Sequence, residues 1–439
     1  MFHSLDTTRR VLLTESDYEA FHKLPPHGPR MKSIAIVDWG WVGHVPLYAE
    51  NLCRVLEAAE WRVHHVCPTP DEAERDLCVA GNLSVTCHAL DEPTTDQHAP
   101  SKFLGFGRRK VKAEVGRSLM LRSTFQRLSR TNHHFDFVFL PWLDLLMSDQ
   151  LTPDDLPDEF ESGWGGILIN ASMFSSVATA KQRRAKLLRK YQLLKDTRLR
   201  LLATLDELAL SNLTQRYSQA SVRWMPDLIE APVTARSMGD ALHRARASGK
   251  QVLVSVGVMH RRKGYLKLLR IAEAGMSGGW FFLIAGPVAG DDLSTDEQQL
   301  VRRAIEGGIP NVAVVDQQLP TTAVNAFIDG ADAVFLGYED WYQSSNIMTR
   351  ASCLKTPVFS CPQGLLADRT RRFQLGWILP DLSADAIAST LQGIGRQELM
   401  ELQSRADFDR YATDHHVNSL ADTMLPLLNN EGCSGVQAA

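Results

Sequence analysis

Between Val252 and Ser360 the sequence alternates short apolar runs with helical stretches, joined by links of only a few residues. Strands read over Val252–Val256, Trp280–Ala285, Val312–Val315, Ala333–Leu336 and Val358–Ser360. Helices read between them over Lys263–Ala274, Asp296–Glu306, Thr321–Phe327 and Ile347–Leu354. Unbroken apolar strands of this kind are buried on both faces, which calls for a parallel sheet covered by helices on each side. The pattern therefore predicts the α/β class and a doubly wound sheet.

The first half follows the same rule less regularly. Ile34–Val37 is an apolar run closed by Asp-Trp-Gly-Trp-Val-Gly, followed by a helical pattern over Val45–Ala59 and a strand over Trp61–Cys67. Further strands read over Phe135–Pro141, Gly166–Asn170, Leu199–Leu202 and Val222–Met225. A chain of 439 residues exceeds one ordinary hydrophobic core. The expected organisation is an extension over 1–30, a first Rossmann-like domain over 31–231, a second over 232–395 joined near Pro232, and a helical tail over 396–439. Helices over Ala384–Gln392, Gln397–Tyr411 and His416–Leu428 would let that tail pack back on the first domain.

Composition narrows the function classes. A hydrophobic fraction of 44% with 22% charged residues fits a soluble globular enzyme, and a net charge of −4 gives no reason to expect nucleic acid. Seven scattered cysteines without C-x-x-C spacing read as reduced thiols, not a disulfide or zinc framework. No apolar run reaches the roughly 18 residues of a membrane span. Met1–Arg30 carries Asp6, Glu15, Asp17 and Glu19 and does not read as a secretory signal. A cytoplasmic location is expected.

Three stretches can carry chemistry. Gly40-Trp41-Val42-Gly43-His44 joins a strand to a helix, where two glycines let the backbone approach a ligand and the helix start offers free N–H groups. Only Gly40 and Gly43 of a G-x-G-x-x-G fingerprint are present. His64-His65-Val66-Cys67-Pro68 also leaves no acid at the ribose position, which argues against a dinucleotide. Gly257-Val258-Met259-His260-Arg261-Arg262-Lys263-Gly264 sets three cations between a strand and a helix, where they can neutralise a diphosphate. The plainer reading, a solvated face, applies to at least one of Arg261 and Arg262. Tyr342-Gln343-Ser344-Ser345-Asn346 opens a helix; its small polar residues can cap that helix or leave its N–H groups to phosphate.

These landmarks resemble the bacterial family 4 glycosyltransferases of the two-domain GT-B fold. In the second half they run in order: Val256-Gly257 with Arg262-Lys263-Gly264, Phe282 to Pro287, Ala331 to Leu336, Lys355 to Phe359, and Gly376 to Leu379. The first half adds Gly43-His44-x-Pro46-x-Tyr48, Phe139 to Asp144, and Trp224-Met225-Pro226-Asp227, so the likeness spans roughly residues 31–395. Two departures stand out. The family's arginine after the glycine is Val258 here, and its two glutamates eight positions apart fall on Tyr342 and Arg350. The resemblance thus points to a subgroup lacking the paired glutamates.

The resemblance implies a nucleotide-sugar donor on the second domain and a hydroxyl acceptor on the first. It implies transfer with retention of configuration and without a metal or other cofactor. Lys263 would stabilise the leaving diphosphate, assisted by Gly257, Arg261 and Arg262. Ser344, Ser345 and Asn346 would hold the distal phosphate and sugar, Gln317 and Gln318 would meet the base, and Arg350 would stand at the ribose. On the acceptor side His44, beside Gly40 and Gly43, and Asp144 are the catalytic candidates. For both, a structural role at a helix start is the alternative.

Lys102–Arg130 carries nine cations against Glu114, and Lys181–Leu202 reads as an amphipathic basic helix. Peripheral contact with an anionic membrane at its inner face, suited to a lipid-linked acceptor, is one expectation; two solvated helices are the other. A catalytically silent GT-B protein that binds nucleotide or glycan as a partner subunit is the rival function, and the missing glutamates favour it.

Overall fold

The computed structural model describes residues 31–38, 45–90, 119, 121–129, 135–145, 147, 151–157, 161–177, 189–228, 240–290 and 293–429. The extension over 1–30, the turn Gly40–His44, the basic run before residue 119 and the joint at Pro232 lie outside them.

Two parallel sheets carry the molecule. The first orders its strands β3-β2-β1-β4-β5-β6-β7 and the second β10-β9-β8-β11-β12-β13. In the first, β1 (Ser33–Val37), β2 (Arg62–Cys67), β3 (Thr86–Ala89), β4 (Phe137–Leu140), β5 (Gly163–Leu168), β6 (Leu199–Thr204) and β7 (Ser221–Trp224) pair in parallel. In the second, β8 (Gln251–Val256), β9 (Trp280–Ala285), β10 (Val312–Val315), β11 (Ala333–Leu336), β12 (Val358–Ser360) and β13 (Gly376–Ile378) do the same. Each order reverses once, between β1 and β4 and between β8 and β11. At such a switch point neighbouring loops diverge and leave a crevice at the strands' carboxyl ends.

The helices are α1 (Val45–Ala58), α2 (Pro70–Glu74), α3 (Leu210–Arg216), α4 (Asp240–Ala247), α5 (Tyr265–Glu273), α6 (Thr295–Ile305) and α7 (Thr321–Asp329). They continue as α8 (Asn346–Cys353), α9 (Leu365–Arg372), α10 (Ala384–Gln392), α11 (Arg396–Arg405), α12 (Phe408–Asp414) and α13 (Val417–Asn429). Every residue of β1, β8, β9 and β11 is buried, as a sheet covered on both faces demands. Four apolar layers result, two on each sheet.

The structure corrects three local expectations. The strand expected over Gly166–Asn170 begins earlier, at Gly163; a side chain on Gly165 or Gly166 would strike the backbone of Leu201 or Leu140 on the neighbouring strands. The helix expected over Gln397–Tyr411 breaks at Ala406, whose backbone is extended (ψ 135°). Leu399 feeds the layer on one face of the second sheet, whereas Phe408 and Tyr411 feed the other, so no single helix serves both. The basic helix expected over Lys181–Leu202 is absent where the chain is described. Residues 189–195 form 3-10 turns interrupted at Tyr191, consecutive Leu193 and Leu194 are both buried, and Leu199 already starts β6.

The last helix crosses to the first domain. Leu420, Ala421, Met424 and Leu425 of α13 share an apolar layer with Leu52 and Leu56 of α1. Burying Leu420 and Leu425 contributes roughly 3–6 kcal/mol before the entropy of ordering is subtracted. No helix among the described residues is long and apolar enough to cross a membrane.

Candidate functional site

At the switch point of the second sheet, the loop after β8 faces the loop after β11. The first opens on Gly257, whose positive φ of +95° suits glycine alone, and a Cβ there would lie 2.7 Å from Lys263 Nζ. A 3-10 turn over Arg261–Lys263 closes on Gly264, at φ +73°, and folds the lysine back over the strand end. Lys263 is only 9% exposed. Its Nζ donates to the Val256 carbonyl across 2.7 Å and lies 5.7 Å from the Tyr338 ring centroid. Burial, then the neighbouring Arg262, lower its ammonium to about 8. Among the described residues Lys263 has no acidic partner, and a buried cation without a countercharge is expensive, so this position favours an anion.

The other two cations of the run point elsewhere. Arg261 pairs with Glu297 of α6 at 3.1 Å. Arg262 lays its guanidinium 4.1 Å above the centre of the Trp341 ring, and its carbonyl accepts a 2.7 Å bond from Glu339 N–H. Lys267 reaches the Glu339 carboxylate at 2.6 Å. These contacts fasten the two facing loops together and leave Lys263 as the cation of the run turned toward the β8 end.

Across the crevice, α8 starts at Asn346. Ser345 stands at its N-cap with extended backbone, yet its side chain makes no cap bond. The first N–H groups of any helix lack intrahelical acceptors, and here the N-cap side chain does not cover them. Asn346 accepts from Arg350 Nε at 2.6 Å, and Arg350 Nη1 donates to Asn325 of α7 at 2.9 Å. Arg350 is 4% exposed and ties two helices together. Gln317 and Gln318 are exposed just past β10, at the edge of the sheet two strands from β8.

On the first domain Gly40, Gly43 and His44 lie outside the described residues. Asp144 follows β4, where its carboxylate accepts from Ile169 N–H at 2.5 Å and Asn170 N–H at 3.0 Å. It clamps the chain leaving β5, and burial raises its carboxyl to about 6 against those two bonds. Asp38, at the end of β1, pairs with His65 Nε2 at 2.9 Å with both side chains fully enclosed. Burial raises the Asp38 carboxyl although His65 opposes it. The doublet His64-His65 shows no ligand spacing in the sequence, and only the β1–β2 register, Ile36 against His65, makes the aspartate its neighbour. An open depression lined by Pro153, Glu161 and Arg198 lies at the amino ends of β5 and β6, away from both crevices.

Sequence reasoning missed the polar cluster where the domains meet. Arg369 of α9 is fully buried and forms a bidentate pair with Glu207, which follows β6, at 3.0 and 2.8 Å. Ser344 Oγ donates to Asp227 Oδ2 at 2.6 Å, and Asp227 N–H donates to His415 Nδ1 at 2.9 Å. Burial, with Arg369 and Arg372 nearby, holds His415 well below the usual histidine range, so its ring is neutral. The sequence signals touching this cluster are Trp224-Met225-Pro226-Asp227 and the Ser344 of the stretch that opens α8; neither pointed to Arg369, Glu207 or His415.

No family model matches the sequence, and no curated protein matches it. Solved structures do. Anabaena HepE in complex with UDP and glucose superposes with a TM-score of 0.60 at 12% identity, covering 90% of this chain and 99% of that one. An E. coli trehalose-6-phosphate protein bound with UDP-2-fluoro glucose gives 0.63 at 13%, covering 91% and 100%. Sucrose-phosphate synthase from Thermosynechococcus elongatus gives 0.55 at 14%, covering 90% and 96%. With two Rossmann-like parallel sheets, flanking helices and a helical C-terminal tail, the chain has the GT-B fold.

Proposed function

We propose that the protein is a glycosyltransferase that moves a sugar from a nucleotide-sugar donor to a hydroxyl acceptor. The observation that carries the reading is the buried ammonium of Lys263, held at the β8 end opposite the start of α8. Negative charge grows on the leaving diphosphate as the glycosidic bond breaks, and a preset cation with helix N–H groups stabilises it without reorganising. The reading takes its countercharge from Lys263, not from a metal, and assigns retention of configuration. The neighbours holding UDP and UDP-2-fluoro glucose support a nucleotide-sugar donor.

In this reading the donor lies on Gly257, Lys263 and the backbone of Ser344, Ser345 and Asn346, with Gln317 and Gln318 toward the base and Arg261 and Arg262 bracing the loop that carries Lys263. The acceptor enters beside the turn of Gly40, Gly43 and His44, with His44 as the candidate base. A glycan, lipid-linked or small hydroxyl acceptor in a bacterial cell-envelope or secondary-metabolite pathway suits a protein working in the cytoplasm, with peripheral membrane contact through the basic first domain.

The same geometry gives the rival reading its footing. Tyr342 and Arg350 replace acids, and Arg350 is held by Asn346 and Asn325, which fits a silent GT-B protein that only binds nucleotide. Nucleotide release from UDP-, GDP- and ADP-sugars, with and without hydroxyl acceptors, separates the two. Release by the wild type and its loss in Lys263→Ala is the expected result. No release from any donor, with no difference in the variant, would sink the transferase reading.

A further inference from the structure

We propose that Arg369 is a positioning residue, which sets the register of the two domains and, through Ser344, the pose of the loop that starts α8. This rests on the donor site assigned above. A guanidinium has five N–H donors in a rigid fork, and all five are satisfied. Two go to the Glu207 carboxylate, one to the Leu205 carbonyl at 2.8 Å, one to Ser344 Oγ at 2.6 Å and one to the Tyr411 hydroxyl at 3.2 Å. Glu207 and Leu205 belong to the first domain; Arg369 and Ser344 belong to the second; Tyr411 lies on α12.

Such a fork tolerates little displacement. A shift of about 1 Å between the domains would leave a buried guanidinium with unmet donors. An apolar seam would bury the same area but would accept several registers. Buried ion pairs add little net stability and are best attested where they specify register. The present one joins the two domains, with Arg369 on the second and Glu207 on the first.

Ser344 carries the constraint to the donor side. Its hydroxyl accepts from Arg369 and donates its own proton to Asp227 Oδ2. The loop therefore offers a donor phosphate its backbone N–H groups rather than this hydroxyl. Asp227 also receives the Tyr48 hydroxyl at 3.4 Å on its other oxygen, and Asn346 Nδ2 donates to the Leu228 carbonyl at 3.4 Å. The α8 start is thus bound to the segment after β7 by side chains from both sides. Thr349 meets the Tyr411 hydroxyl at 3.3 Å one turn further on.

The test uses the full chain with Glu207→Gln, Ser344→Ala, Arg369→Lys and the apolar double variant Arg369→Met with Glu207→Leu. Hydrogen exchange is followed by mass spectrometry, and donor kinetics are measured in parallel. In Glu207→Gln and Ser344→Ala, amides at 205–209, 225–228 and 338–346 should exchange together at least about tenfold faster, with β8 and β9 unchanged. Donor KM should rise about tenfold with kcat changed much less. Lysine at 369 should fail to restore KM because it lacks the fork, and the apolar double variant should fold yet keep the raised KM. Wild-type KM in the folded double variant overturns the proposal. So does unchanged exchange across the domain boundary in both single variants. If the wild type transfers no sugar, the transferase reading fails while the exchange arm still decides the positioning role.

Discussion

Lys263 Nζ donates to the carbonyl of Val256 across 2.7 Å, folding the side chain back onto the strand that precedes its own loop. The ammonium is fixed at the strand end, with its charge opposed by burial and by Arg262.

The lowered ammonium sets a pH dependence. Below about 8 the free protein carries the charge that the proposed site would offer a diphosphate. Above it, binding must first take up a proton, so affinity should fall about tenfold per pH unit. Titrating nucleoside diphosphate at pH 7 and pH 9 checks this. Stability runs the other way. Between about 8 and the ordinary lysine value of 10.5 the unfolded chain holds a proton that the native site does not. Unfolding free energy should therefore rise with pH across that window, by roughly 3 kcal/mol at most. Lys263→Met should flatten the rise in denaturant titrations.

Gly257→Ala tests how tightly the lysine is placed. The new Cβ would sit 2.7 Å from Nζ on a backbone held at φ +95°. We expect about 1–3 kcal/mol of destabilisation and nucleotide affinity lowered as in Lys263→Ala. Normal affinity in a well-folded variant would show that the Lys263 pose does not matter.

Asp144→Asn distinguishes a structural clamp from a catalytic group. The amide can accept only one of the two N–H bonds and turns a donor toward the other, costing about 1–3 kcal/mol. With the native carboxyl raised to about 6, the folded state binds the extra proton, so wild-type stability falls as pH rises from about 4 to 6. The asparagine variant should lack that fall. Nucleotide affinity should not change, which calorimetry can check.

Arg350→Met removes two hydrogen bonds given by a charged donor, to Asn346 and Asn325. A loss of about 2–4 kcal/mol is expected from urea titration. Donor affinity should drop as well, because Asn346 begins α8. Full stability would mean that Arg350 is not a brace.

Most of the second sheet was legible because Trp280–Ala285, Val312–Val315 and Ala333–Leu336 are continuous apolar runs and Val358–Ser360 is nearly so. The observed strands share those bounds, whereas the short edge strand β13 was not read as one. β3 was missed because Thr86–Ala89 lies at a sheet edge, where Cys87 and His88 are only half buried and no apolar run is needed. Lys263 stood out through its glycine frame. That Arg261 faces Glu297 and Arg262 stacks on Trp341 was not legible, since both depend on which helix packs nearby. The Arg369–Glu207 pair was invisible for a stronger reason: residues this far apart in sequence meet only once both domains are folded and docked.

Nucleoside diphosphate should bind the second domain, and calorimetric titration of UDP, ADP and GDP into wild type and Lys263→Ala measures that binding. Saturable one-to-one binding of at least one nucleotide is predicted, weakened about tenfold or more in the variant. No binding by the wild type, or equal affinity in both proteins, would contradict it.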